Sequence, residues 1–331
     1  MKNSLKTLLC AALLCVPAAQ AEIVWAKGVS ADGGWYDANK SADDNSDDMM
    51  CYAASAANLI KWWQESLTAV PSGTHTELSD IWGEYKKAAQ NGATMGGDAG
   101  YAMAWWVSGV YLPTSQEEAD RWCWPHITLS NSSELKAHDG YYYRQCNLTS
   151  TEVRDFVGVY KDNDTGYVVS SYTLNGDSIS GGLFQEKSFG AVLQDGYGIS
   201  LGIKSDTQAN FGHAITLWGA EYNEEGKLEK LWLTDSDDYN INYGGDRLFD
   251  ANVTISKDGK VYISTEKVTW VDADNPNKSW FTTQYEAEKG YFVDSVHLLN
   301  PKAFSVPVPE PATATLSLLA LAGLAVRRRR K

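Results

Sequence analysis

The chain has 331 residues, with 28 basic against 42 acidic side chains and a formal net charge of −14 at pH 7. Such an acidic surface repels nucleic acids and anionic membranes, so neither is an expected partner. The length is sufficient for one large domain or two small ones.

Residues 1–21 have the pattern of a secretory signal peptide. Two lysines precede an apolar run over Leu8–Val16, and Ala19-Gln20-Ala21 provides a small-residue cleavage site. The apolar run is too short to cross a membrane as a mature helix. We therefore expect an exported protein that begins near Glu22; a buried N-terminal helix is the alternative.

An acidic loop and a helix follow. Residues 43–48 are all acidic or polar and predict an exposed loop. From Met50 to Leu67, alanines, tryptophans and other apolar residues occupy nearly every side of a helical wheel, which is typical of a buried helix. Asp47 or Asp48 is the expected N-cap of this helix, because acidic side chains suit the positive end of a helix dipole.

Along the chain, the spacing of apolar residues then changes from helical to strand-like. Further helices are predicted at Leu78–Ala89, Gln116–Trp122 and 183–195. Six strands are predicted at Gly198–Ile203, Ala214–Trp218, Leu228–Thr234, Val253–Ser256, Lys260–Ser264 and Phe292–Leu298. Turn residues at 223–226 and 257–259 predict hairpins. The pattern indicates an α+β fold, with an N-terminal helical half and a C-terminal antiparallel sheet.

The C-terminus carries three elements in order: Pro309-Glu310-Pro311, the apolar stretch Ala312–Val326 and the basic cluster Arg327–Lys331. This order resembles the PEP-CTERM sorting signal of Gram-negative bacteria. The resemblance implies that residues 306–331 attach the chain transiently to the inner membrane. Exosortase-type processing machinery would then release the protein as a secreted or cell-surface protein. A plain C-terminal membrane anchor is the alternative.

Three side chains suited to nucleophilic catalysis occur at suitable places. Cys51 lies at the start of the predicted buried helix, where unpaired N–H groups and the dipole favour a thiolate. His213 lies where a glycine-containing turn meets an apolar strand, and Asp235 follows the strand Leu228–Thr234. If the two strands pair, the carboxylate lies beside the imidazole. Taken singly, a cysteine such as Cys51 is more often a small buried apolar residue, and His213 is equally compatible with a core histidine.

The other cysteines and an acidic motif bear on two further points, disulfide formation and metal binding. Without the signal peptide the chain keeps Cys51, Cys123 and Cys146, and spacing alone does not decide whether the last two form a disulfide. Asp235 and Asp237 match the start of a calcium-binding loop, but the following residues lack its glycine and its distal glutamate. We therefore expect neither a metal ion nor a cofactor.

Several motifs together resemble the IdeS/Mac family of streptococcal immunoglobulin-degrading cysteine peptidases. In chain order they are Val24-Trp25-x-Lys27-Gly28-Val29, Gly34-Trp35-Tyr36-Asp37 followed by Lys40, Met50-Cys51-x-Ala53-Ala54-x-Ala56-x-Asn58-x-x-x-Trp62-Trp63, His213-x-Ile215-x-Leu217-Trp218-Gly219-Ala220 and Thr234-Asp235-Ser236-Asp237. They fall in one order over about residues 24–240. This makes the resemblance far more specific than any single motif.

The resemblance implies a papain-like cysteine peptidase fold over residues 22–305, with the nucleophile on the buried helix. The implied roles are Cys51 as nucleophile, His213 as base and later proton donor, Asp235 as the group that orients His213, Asp237 as a second essential acid, and Lys40 as an oxyanion-hole donor. The backbone N–H of Cys51 would be the other oxyanion donor.

Two departures from the family pattern bear on these roles. The spacing from Lys40 to Cys51 is one residue longer, and Tyr52 replaces a small glycine. The sequence thus predicts a cysteine endopeptidase that hydrolyses extended protein segments, with immunoglobulins as one candidate substrate. The alternatives are a non-catalytic surface protein that binds protein or glycan, and an acyltransferase that uses the same thiol chemistry.

Overall fold

The computed structural model describes residues 22–41, 47–67, 70–90, 98–108, 140–142, 146, 169–180, 186–237, 246–266, 268–271, 279–282 and 285–299. The α-helices in these residues are α1 (Cys51–Ser66), α2 (Leu78–Gln90), α3 (Ala99–Ser108) and α4 (Phe189–Gln194). The strands are β1 (Glu22–Trp25), β2 (Val169–Asn175), β3 (Ser178–Ser180), β4 (Lys187–Ser188), β5 (Gly198–Ser205), β6 (His213–Tyr222), β7 (Leu228–Thr234), β8 (Phe249–Ile255), β9 (Val261–Ser264), β10 (Val268–Val271), β11 (Ser279–Thr282) and β12 (Tyr291–Leu299). The predicted signal peptide, the helix Gln116–Trp122 and the sorting tail lie outside the described residues.

Six antiparallel strands close into a barrel. β5 pairs with β6, and the pairing continues through β7, β8, β9 and β12, which returns to β5. The predicted hairpins connect β6 to β7 and β8 to β9. β1 lies beside β6, while β2, β3 and β4 extend the sheet from β12. The predicted α+β class and the antiparallel sheet are confirmed; the closure into a barrel, which removes most free strand edges, was not predicted.

Helix α1 packs against the barrel strands β5 and β6 as well as against α2 and α3. Its buried residues include four alanines, whose small side chains let the helix backbone approach its neighbours. Gly198 of β5 serves the same purpose, because a Cβ there would lie only 3.0 Å from Leu59 of α1. The predicted buried helix is therefore confirmed, with its bounds shifted by one residue at each end.

Two local predictions are wrong. The N-cap of α1 is Met50, not Asp47 or Asp48. The buried carboxylate of Asp47 instead accepts a hydrogen bond from the backbone N–H of Ser41 at 3.1 Å. The helix predicted from residue 183 begins only at Phe189, because Lys187 and Ser188 pair with β3 and the Ser188 hydroxyl caps the helix.

Within the described part of the chain, no helix combines the length and the apolar character needed to cross a membrane. Several elements were missed by the sequence patterns: β1, α3, β2, β3, β4, β10 and β11. Most of these are short, and short elements carry too few residues for a clear period.

Candidate active site

The thiol of Cys51 lies at the first residue of α1 and is partly buried. Since the N-cap residue Met50 offers no side-chain acceptor, the first N–H groups of the helix keep their partial positive charge near the thiol. The His213 side chain and the Ala214 backbone both act to lower the pKa of Cys51. Burial opposes ionisation of the thiol, but the hydrogen bond and charge of His213 outweigh it and lower the pKa of Cys51.

β6 and β7 bring an imidazole and a carboxylate together beside this thiol. His213 is the first residue of β6, and Asp235 directly follows the last residue of β7. The two strands pair as the sequence suggested, and His213 Nε2 lies 2.6 Å from Asp235 Oδ1. His213 therefore lies between the Cys51 thiol, whose pKa it lowers, and the Asp235 carboxylate.

The charges of these three groups stabilise one another in a buried setting. Burial favours the neutral form of Asp235, which is only 2 % exposed, but the charge and hydrogen bond of His213 lower the pKa of its carboxyl to about 2. Burial also opposes the charge of His213, but Asp235 and then Cys51 raise its pKa well above the usual range. At neutral pH the arrangement favours a thiolate, an imidazolium and a carboxylate.

Lys40 and Asp237 form a second charged pair at the same place. The buried Lys40 ammonium donates to the backbone oxygen of Asp48 at 2.7 Å and forms an ion pair with Asp237. Burial opposes the Lys40 charge, but the hydrogen bond to Asp237 raises its pKa. Asp237 Oδ2 lies 3.8 Å from His213 Nδ1, and the Asp237 backbone N–H donates to Asp235 Oδ1 at 3.0 Å. All five residues predicted from the sequence therefore meet in one place.

A buried polar network fixes the segments that carry these residues. Asn58, on α1, accepts a hydrogen bond from the Ala38 backbone at 2.7 Å, in the segment that leads to the lysine. Its amide nitrogen donates to Thr216 of β6 at 3.1 Å and to Thr234 of β7 at 3.4 Å. Thr234 donates in turn to the backbone oxygen of Tyr36 at 2.9 Å. One side chain on the thiol-bearing helix thus links all the other segments of the site.

Among the described residues, one group offers ligand atoms close enough to hold a metal ion. These are His213, Asp235 and Asp237, whose atoms lie within 4.8 Å of one another. The donors are already engaged, because His213 Nε2 binds Asp235 and the Lys40 ammonium binds Asp237. A cation at this position would compete with a buried ammonium group. The donor set therefore fits a network of ion pairs better than a metal site.

Two buried residues interact with Asp235 but had no role assigned from the sequence. Tyr285 donates a hydrogen bond to Asp235 Oδ2 at 2.6 Å, and no motif marks it, since it lies 50 residues further along the chain. Asp37 accepts from the Arg247 backbone at 2.9 Å. Burial, reinforced by the Asp235 charge and opposed by the Arg247 hydrogen bond, raises the pKa of Asp37 to about 8. Asp37 belongs to the motif Gly34-Trp35-Tyr36-Asp37, so the family resemblance was the sequence feature that could have marked it as a site residue.

Cys146 provides a second thiol in the described residues. It is a free cysteine in this structure and lies 3.5 Å from Thr74 Oγ1. Cys123, its proposed disulfide partner, lies outside the described residues. Burial raises the pKa of Cys146, which is the opposite of the shift at Cys51. The two thiols therefore differ in their electrostatic surroundings.

The molecule is thus an α+β protein in which a helix-borne thiol meets an imidazole–carboxylate pair on an antiparallel barrel. The family model described as Mac 1 matches residues 18–72 and 147–269, more than half of the chain, and the chain belongs to this family. The two matched segments contain all five predicted site residues.

The PEP-CTERM protein-sorting motif matches residues 307–331 and indicates an exported protein. A similar protein is the IgM protease of Streptococcus suis (strain P1/7), which is 27 % identical over 236 residues. The match covers 65 % of this chain and 18 % of that protein, so the chain spans less than a fifth of its relative's length. Both resemblances drawn from the sequence are confirmed.

Proposed function

We propose that this chain is an exported cysteine endopeptidase with a papain-like fold, in which Cys51, His213 and Asp235 form the catalytic triad. The place of the imidazole, which lowers the pKa of the thiol and is hydrogen-bonded to the buried carboxylate, carries this proposal. It is supported by the opposite pKa shifts of the thiol and the imidazole, which favour a preformed thiolate–imidazolium pair. A helix that begins with the nucleophile and packs on an antiparallel barrel agrees with the papain-like layout.

The proposed reaction has two steps. The Cys51 thiolate attacks the carbonyl carbon of the peptide bond, and the imidazolium of His213 gives its proton to the leaving amine as the C–N bond breaks. The product is a thioester between Cys51 and the acyl part of the substrate. His213, now neutral, takes a proton from a water molecule that attacks the thioester, and the free acid leaves as the thiolate–imidazolium pair is restored. Asp235 holds the imidazole in orientation throughout.

Lys40 and the start of α1 are proposed to stabilise the oxyanion. An ammonium group has three N–H donors, and the contacts with Asp48 and Asp237 use two of those of Lys40. We assign the third donor and the backbone N–H of Cys51 to the oxyanion. Asp237 then acts by holding Lys40 in place. The longer spacing between Lys40 and Cys51 is compatible with this role, because the ammonium anchors on the residues just before the helix.

The proposed substrate is a protein segment that binds in extended form, with immunoglobulins as the first candidate. The support is the similarity to a protein named IgM protease, which the chain matches over a small part of that protein's length. We propose residues 22–305 as the peptidase domain, between a signal peptide over 1–21 and a sorting tail over 306–331 that exosortase-type machinery processes. The protein would then be secreted or held at the cell surface of a Gram-negative bacterium, after transient membrane attachment through the tail.

The test is a digest of intact IgM, IgG and casein by the purified full-length chain in mild reductant. The variants are Cys51→Ala and, as the matched control, Cys146→Ala. The proposal expects at least one substrate to be cleaved by the wild type and by Cys146→Ala, and none by Cys51→Ala. If Cys51→Ala cleaves as well as the wild type, the triad is wrong. If no variant cleaves but a substrate binds, the chain is a binding protein on a peptidase scaffold.

A further inference from the structure

We propose that Tyr285 is a positioning residue of the candidate active site and that it acts through Asp235. This inference rests on the proposed function, because it assigns Tyr285 a part in keeping the triad charged and aligned. Tyr285 lies beyond the segments that the family model matches, which end at residue 269. The site would therefore be completed by a part of this chain that its family membership does not describe.

The hydroxyl of Tyr285 complements the contacts of Asp235. Asp235 Oδ1 accepts from His213 Nε2 at 2.6 Å and from the Asp237 backbone N–H at 3.0 Å. Oδ2 accepts from the Tyr285 hydroxyl at 2.6 Å. With a donor on each oxygen, the carboxylate cannot rotate without breaking a hydrogen bond to a charged group, which is among the stronger kinds in proteins. Tyr285 thus fixes the plane of the carboxylate that faces the imidazole.

Water is poorly placed to take over this role. Asp235 and Tyr285 are each only 2 % exposed. A buried carboxylate oxygen that loses its donor keeps the cost of desolvation without compensation. The Tyr285 hydrogen bond also contributes to the lowered pKa of Asp235, after the larger effect of His213. Its loss should let Asp235 take up a proton at a higher pH and leave the imidazolium without its partner.

The surroundings of Tyr285 hold the hydroxyl in place. Its backbone N–H donates to Thr265 Oγ1 at 3.0 Å, and its backbone oxygen accepts from the Thr265 N–H at 3.0 Å. Its ring packs edge-on against Tyr291, with centroids 5.2 Å apart, and lies 6.3 Å from the ring of Phe249. A phenylalanine at 285 would keep these ring contacts and remove only the hydroxyl. This makes Tyr285→Phe a clean probe.

Tyr262 provides a matched control. Its hydroxyl donates to a carboxylate, Asp206 Oδ2, at the same distance of 2.6 Å, but the pair is exposed on the surface. Tyr262→Phe therefore removes a tyrosine–aspartate hydrogen bond of equal length away from the thiol. A comparison of the two variants shows whether an effect depends on where the hydrogen bond lies or only on the loss of a tyrosine hydroxyl.

The experiment measures the rate of Cys51 alkylation by iodoacetamide against pH, with mass spectrometry to locate the label, in the full-length chain. The variants are Tyr285→Phe, Tyr262→Phe, Asp235→Asn and the double variant Tyr285→Phe/Asp235→Asn. We expect Tyr285→Phe to move the acid limb of the profile to higher pH and to lower the rate on that limb roughly tenfold. Tyr262→Phe should match the wild type. In the Asp235→Asn background, Tyr285→Phe should add no further change.

Three outcomes would contradict the inference, and they are distinguishable. If wild-type Cys51 reacts no faster than Cys146, the proposed function and this inference both fail. If the wild type reacts selectively and Tyr285→Phe keeps its profile, only the role of Tyr285 is wrong. If Tyr285→Phe lowers the rate equally with and without Asp235, the tyrosine acts on the fold and not through Asp235.

Discussion

Helix α1 lies between a polar region, on its barrel side, and an aromatic cluster on its other side. The polar region orients the site, and the aromatic cluster stabilises the fold. Toward the barrel, α1 presents Ser55 and Asn58, which form hydrogen bonds with Ser200, Thr216 and Thr234. Its other neighbours, α2 and α3, contribute an aromatic cluster that also includes residue 141. The cluster consists of Tyr85, Trp105, Trp106 and Tyr141, with ring centroids 3.6 to 6.5 Å apart.

The two regions stabilise different properties. A buried hydrogen bond contributes only about 1 kcal/mol net to the free energy of unfolding, but it requires one geometry. A buried aromatic side chain removes roughly 150–250 Å² from water, at about 25 cal/mol per Å², and tolerates more variation in geometry. The polar region therefore sets the positions of the thiol, imidazole and carboxylate, while the aromatic cluster supplies stability. The changes that follow should separate these two contributions.

The largest effect is expected in the polar region from Asp235→Asn. The side chain keeps its shape but loses the charge that holds His213 as an imidazolium. Cleavage of a responsive protein substrate should fall on the order of a thousandfold or more. The measurement is kcat/KM, with circular dichroism as a check that the fold is retained. A loss of less than tenfold in a folded variant would contradict the triad.

The opposite response is expected from Trp106→Ala in the aromatic cluster. Trp106 is fully buried, and its ring stacks on Tyr141 with centroids 3.6 Å apart and planes 8° apart. Its truncation should lower the free energy of unfolding by about 3–5 kcal/mol. The pH profile of Cys51 alkylation should stay that of the wild type in the folded fraction. Urea denaturation measures the first quantity. If the fully folded variant shows a changed alkylation profile, the aromatic cluster also orients the site, and the division between the two regions is wrong.

An intermediate effect on both properties is expected from Asn58→Leu. The leucine fills a similar volume but leaves Thr216 and the Ala38 N–H without the hydrogen bonds of the amide. The free energy of unfolding should fall by about 1–3 kcal/mol, and the rate of Cys51 alkylation should fall roughly tenfold. The two losses are measured by denaturation and by labelling. A stability loss without any change in labelling would mean that the network does not orient the site.

The smallest effect is expected from Lys204→Ala, away from both regions. The Lys204 ammonium lies 2.9 Å from Asp294, and both side chains are exposed. Exposed ion pairs contribute little, so the free energy of unfolding should change by less than about 1 kcal/mol, and labelling should not change. Denaturation and labelling under the same conditions provide the baseline for the other variants. A shift above 2 kcal/mol would show that this pair is coupled to the barrel.

Much of the site was predictable because its residues lie at the ends of strongly patterned elements. Cys51 begins a helix of clear composition, and His213 and Asp235 lie at the ends of two apolar strands that pair as a hairpin. The resemblance then placed Lys40 and Asp237 in the same site. Helices α1 and α2 and the six barrel strands followed from the spacing of apolar residues, with errors mainly at their ends, whereas α3, β10 and β11 were missed.

The remainder depends on contacts that no local pattern encodes. Tyr285 reaches Asp235 only because the chain returns to the barrel, a long-range pairing that sequence spacing does not reveal. Asp47 looked like a cap because it is an acid before a helix, but its carboxylate is buried on a backbone N–H of the preceding loop. The closure of the sheet requires β12 to pair with both β5 and β9, and single-strand patterns do not specify such partners.

The most direct test of a preformed thiolate is the pH dependence of alkylation at Cys51 compared with Cys146 in the same molecule. The pKa of Cys51 is lowered by His213 against the effect of burial, and that of Cys146 is raised by burial. As the pH falls below about 8.5, the ordinary thiol value, Cys51 should therefore stay reactive while Cys146 has already lost its reactivity. Labelling of both cysteines along one curve, with a midpoint at or above that value, would contradict the thiolate–imidazolium pair on which the proposed function depends.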